Sequence, residues 1–144
     1  MGRILFLGCL LTMACAPVAT RAEDLKLEAR LIWGTNDDTP PPQECKKLDD
    51  ETAKKLTNVF KWKHYYQISK VLTNVPSRGT ARIQMSKVCE IEITELQGAK
   101  VEVSLFGKGK KVNKTVENFS KGSFFTLGGD DKNDTAWFVL VTQL

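Results

Sequence analysis

The chain has 144 residues, 42% of them hydrophobic and 26% charged, with ten Gly and five Pro. That balance belongs to one ordinary globular domain and excludes a collagen-like or low-complexity chain. A net charge of +4 is too small to mark a nucleic-acid binder, and no apolar run beyond the N-terminal segment is long enough for a membrane-spanning helix.

The first element is a targeting segment. The opening MGRILFLGCLLTMACAPVATRA carries one early basic residue, Arg3, then an apolar run from Ile4 to Ala16, then Thr20-Arg21-Ala22 before the acidic Glu23-Asp24. A charged start, a short apolar core and a small-x-small exit predict a secretory signal peptide over 1–22 and an exported protein, periplasmic or extracellular. Lipid anchoring through Cys15 is the minority variant, because only Ala14 among the preceding residues fits a lipidation signal. Cleavage leaves a single domain over 23–144 and removes Arg3 and Arg21, lowering the net charge to +2. Cys9 and Cys15 leave with the signal, so Cys45 and Cys89 remain. In an oxidising compartment they are a disulfide candidate worth about 4 kcal/mol in the chain-entropy model. The competing reading is two separate thiols, Cys89 buried beside Ile91 and Ile93 and Cys45 in a polar connection.

Residues 25–33 alternate, with Leu25, Leu27, Ala29, Leu31 and Trp33 on one side and Lys26, Glu28, Arg30 and Ile32 on the other. That is a half-buried strand. A Pro-rich connection over 35–48 follows, stiffened by Pro40-Pro41-Pro42. One amphipathic helix is predicted near residues 50–61. Asp49 or Asp50 caps it, Glu51 sits in its first turn, and Ala53, Leu56 and Phe60 recur at helical spacing with Val59 and Trp62 alongside. From Tyr65 onward the period is two. Tyr66, Ile68 and Leu72 mark a strand that stops at Pro76, and Ser77-Arg78-Gly79 turns the chain. Three further strands carry Ala81, Ile83 and Met85, then Cys89, Ile91 and Ile93, then Val101, Val103 and Leu105. Gly107-Lys108-Gly109 breaks the last of these. Shorter strands are expected over 111–116 and 124–127, with a Gly- and Asp-rich turn over 128–134. The nearly unbroken apolar run over 136–141 belongs in the centre of a sheet. Short strands at this spacing with one helix predict a mainly β protein, an antiparallel β-sandwich or small barrel.

Catalytic signals are thin. His64 is the only histidine and stands in a basic, aromatic turn, Lys61-Trp62-Lys63-His64-Tyr65, with no nucleophile elbow elsewhere. Glu90 and Glu92 alternate with Ile91 and Ile93 and read as the solvated side of a strand. Asp130-Asp131-Lys132-Asn133-Asp134 puts a lysine where a calcium loop needs its third ligand. Gly107-Lys108-Gly109-Lys110-Lys111 lacks the spacing and the following helix of a phosphate loop. A non-enzymatic protein with no cofactor and no metal is expected. Two clusters remain for partner binding. Lys108, Lys110, Lys111 and Lys114 form a basic hairpin suited to an anionic surface or acidic partner, or simply guard a sheet edge. Trp62 and Tyr65, with Trp33, Phe60 and Tyr66, either present a stacking surface or pack the seam between helix and sheet.

The motifs LIWGTND, FKWKHYY, SKVCEIEI, VSLFGKGK and GGDDKNDTAWFVLV together resemble a set of small uncharacterised exported bacterial proteins, over nearly all of residues 25–143. The resemblance implies bacterial export and carries no activity with it. The aromatic helix-to-strand junction, followed by Gly-Gly near a terminal strand, is similar at the level of fold to β-domains of bacterial secretion machinery. The expectation is an exported β-rich domain that binds a protein or surface component of the cell envelope, with a free-standing secreted inhibitor or ligand-binding domain as the alternative. Nucleic acid is not an expected partner.

Overall fold

The computed structural model describes residues 23–39, 44–97, 99–131 and 135–144. The expected signal peptide over 1–22 with Cys9 and Cys15, the Pro40-Pro41-Pro42 run and the tip of the expected Asp-rich turn lie outside them. The strands are β1 (Leu25–Thr35), β2 (Lys46–Lys47), β3 (His64–Val75), β4 (Thr80–Gln84), β5 (Cys89–Leu96), β6 (Lys100–Gly107), β7 (Lys110–Asn118), β8 (Phe124–Asp131) and β9 (Thr135–Gln143), with one helix, α1 (Asp50–Thr57), between β2 and β3. They form a five-stranded sheet in the order β2-β3-β1-β9-β8 and a four-stranded sheet in the order β4-β5-β6-β7. Every pairing is antiparallel, and neither sheet closes on itself. The fold is a sandwich and not a barrel.

Alternation places two cores. Leu27, Ala29 and Leu31 of β1 and Val139 and Val141 of β9 meet Ile91, Ile93, Val101, Val103 and Leu105 between the sheets. Residues one step along those strands, Ile32, Ala136, Phe138 and Leu140, form a second core under α1 with Leu48, Leu56, Trp62 and Tyr65. β9 therefore buries both faces, which is why its sequence lacks polar interruption. β1 does the same in part. Its outward Glu28 and Arg30 are not solvated, as simple alternation would have them. Glu28 accepts from Arg30 Nε at 2.5 Å and pairs with Lys70 Nζ at 3.0 Å, and Arg30 Nη1 reaches Asp49 Oδ2 at 2.9 Å.

The helix is shorter than its apolar spacing implies. Asp49 caps it by accepting from the Thr52 N–H, but it ends at Thr57; Phe60 and Trp62 continue its apolar layer from the loop beyond, and Val59 faces solvent. β8 runs on through Gly128 to Asp131, where a turn was expected. The start of β1 and the end of β9 lie at one end of the five-stranded sheet: Leu25 pairs with Val75, Leu27 with Gln143, and the Leu144 N–H donates to the Lys26 carbonyl at 3.1 Å.

Candidate functional site

At the opposite end the sandwich is open, and two β-bulges shape the opening. In the β1–β3 pair, Leu31 faces Ser69 and Ile32 faces Gln67, leaving Ile68 as an extra residue on β3. In the β6–β7 pair, Leu105 faces Asn113 and Phe106 faces Lys111, leaving Val112 as an extra residue on β7. A bulge re-aims its side chain. Here one bulge in each sheet turns an aliphatic residue into the same cavity, of about 500 Å³. Gly107 makes room for the second: a Cβ there would stand 3.1 Å from Val112 Cγ2.

The floor of the cavity is core, formed by Leu31, Cys89 and the ring of Trp137. Its rim is Ser86, Val88 and Lys108. The rim is held in place by the β6–β7 turn. Lys108 and Gly109 both have positive φ, +50° and +75°, the signature of a two-residue type I′ hairpin. The Lys108 N–H donates to the Val88 carbonyl at 2.7 Å, tying the turn to the 86–88 loop. Across the sandwich, Ser69 Oγ donates to the Met85 carbonyl at 2.6 Å and ties β3 to the other sheet. Burial pushes the Cys89 thiol up to about 11, so it remains protonated and unreactive.

Beside the opening, Trp33 and Tyr66 are cross-strand partners on neighbouring strands, with ring centroids 5.8 Å apart. Trp137 is the partner of Trp33 on its other side. His64 continues the row, 6.4 Å from Tyr66, and its Nε2 lies 2.8 Å from Asp38 Oδ1. The hydrogen bond with His64 holds the Asp38 carboxyl below its ordinary range. Among the described residues no group of three or more His, Cys, Asp or Glu side chains could hold a metal ion.

The residues singled out from sequence fall in different places. Trp62 and Tyr65 are buried under α1, Tyr65 edge-on to Phe138, so the aromatic cluster divides: these two and Phe60 are core packing, whereas Trp33 and Tyr66 stay half-buried by the opening. The lysine hairpin also divides. Lys108 lines the cavity, Lys111 lies over Phe106 at 5.6 Å, Lys114 pairs with Glu102 at 3.0 Å, and Lys110 is exposed. Cys45 and Cys89 are free thiols. Cys89 points into the inter-sheet core while Cys45 precedes β2 at the edge of the other sheet, so the considered disulfide is not formed. Glu90 and Glu92 both pair with Arg82, at 3.4 and 2.7 Å. Ile68 and Val112 are not legible as site residues in the sequence, because a one-residue insertion leaves no mark on the pattern, and Val88 and Trp137 reach the cavity only through the fold.

No protein-family model matches the chain, and neither a curated protein nor a solved structure is detectably similar to it. No relative therefore supplies a site residue. Among the described residues no helix is long and apolar enough to cross a membrane.

Proposed function

We propose that the chain is an exported, non-enzymatic β-sandwich domain that binds a component of the cell envelope at the open end of its sandwich. The carrying observation is the pair of bulges, one from each sheet, that turn Ile68 and Val112 into one apolar cavity. Leaving aliphatic side chains half in water is unfavourable, by roughly 25 cal/mol for each Å² not buried, and a partner that covers them recovers it. The signal-like segment over 1–22 supports export.

The test has two parts. The protein recovered from the envelope fraction of its host is expected to begin at Glu23 by mass. Immobilised, it is expected to retain an envelope component that a Val112→Glu variant does not, while Leu72→Asp, on the exposed outer face of β3, retains it fully. Equal retention by wild type and Val112→Glu would remove the open end as the binding site. A protein that stays in the cytoplasm with its first residues intact would remove export.

A further inference from the structure

Resting on that reading, we propose that the ligand of the open end is an anionic amphiphile with a single acyl chain. The chain lies between Ile68 and Val112 over Leu31 and the Trp137 ring, and the charged head meets Lys108. Three features carry this.

The first is wall chemistry. The cavity is lined chiefly by branched aliphatic side chains and one aromatic ring, with Ser86 and Lys108 as its strongly polar groups. A sugar would need several convergent hydrogen-bonding groups to replace its water, whereas an acyl chain needs none. The second is shape. Leu31 and Cys89 on the floor are 4% and 3% exposed, while Ile68, Val88 and Val112 around the rim are 39%, 54% and 49% exposed. A buried floor beneath an apolar rim is a recess that accepts a tail, and its volume of about 500 Å³ falls among small-ligand sites, ~300–1,000 Å³. The third is charge. Lys108 is the charged side chain among the described lining residues, and no carboxylate accompanies it. Its backbone is fixed by the turn and by the bond to Val88, so its side chain starts from a defined place on the rim and its flexible stem lets the ammonium reach a charged head there. A free fatty acid and an anionic lysolipid share this chemistry.

The purified protein is titrated with palmitate, with palmitoyl lysophosphatidylglycerol and with hexadecanol, followed by tryptophan fluorescence and native mass. Equimolar binding of at least one anionic chain is expected, with hexadecanol at least ~tenfold weaker. Lys108→Gln is expected to erase that preference. Val112→Glu and, independently, Ile68→Glu in the other sheet are expected to abolish binding while melting as the wild type does. Tighter palmitate binding names a free fatty acid as the source, and tighter lysolipid binding names a membrane lipid. Binding of neither chain, unaltered binding by both variants, or binding of an oligosaccharide in their place would overturn the assignment. If neither chain binds but Val112→Glu still loses the envelope component, the acyl assignment alone falls. If that variant keeps the component, the open-end reading falls with it.

Discussion

Glu28 shows how a single residue can contradict its pattern. It alternates with apolar neighbours as a solvent-facing residue would, yet its side chain is 12% exposed because α1 and its cap cover that face. Burial acts to raise its carboxyl, but hydrogen bonds from Lys70 and Arg30 outweigh burial and bring it below the ordinary range. Asp49 goes further, to about 2, held first by the Thr52 backbone N–H and then by the Thr52 hydroxyl, against burial, with Arg30 adding to it. Both carboxyls are more acidic folded than unfolded. Their contribution is complete above the unfolded values and is lost as pH falls through the folded ones. The melting temperature is therefore expected to drop as pH falls from 3.8 towards about 2. Asp49→Asn should flatten that drop in a thermal melt repeated across the range; an unchanged profile would show that the cap contributes nothing to acid stability. Arg30→Met, which leaves Glu28 with Lys70 alone and removes the charge-assisted hydrogen bonds from Arg30, should cost about 1.5–3 kcal/mol.

At the scale of elements, α1 and the bulges carry the lesson. An eight-residue helix is too short to persist alone, and Leu56 is its one fully covered side chain. Leu56→Ala is expected to cost about 2–5 kcal/mol and to raise hydrogen exchange in α1 and the 58–63 loop before the sheets open. Exchange rising equally everywhere would mean that helix and sandwich unfold as one. Strand existence was legible because alternation survives in β1, β4, β5 and β6, and the buried centre of β9 was legible because it lacks alternation. The face of β3 was not. Tyr66, Ile68 and Leu72 share a period of two, but the bulge at Ile68 changes parity along the strand. Tyr66 consequently sits on the inner face and Leu72 on the outer, 64% exposed. A pattern counted across an inserted residue assigns the wrong side. The same blindness hid Val112 within a run of lysines.

At the scale of the molecule, the sandwich, its single helix and the central last strand followed from composition and periodicity, whereas the candidate site did not. The aromatic junction, contiguous in the chain, was divided by folding, with Trp62 and Tyr65 buried under α1 and Tyr66 left half-buried against Trp33. The opening was assembled from β1, β3, β5, β6, β7 and β9, and no local window holds it. Leu31 belongs to both core and cavity floor, so Leu31→Asp should lose the cooperative melt entirely by placing an unpaired charge between the sheets. A folded variant would require the floor to be wet. Leu25 and Gln143 lie at the same end of the five-stranded sheet, and Leu31 on the cavity floor stands six residues along β1 from Leu25. At ~3.3 Å per residue that spacing sets the opening about 20 Å beyond that end. A fusion partner or bead attached beside Leu25 or Gln143 therefore holds the recess outward from whatever surface bears it.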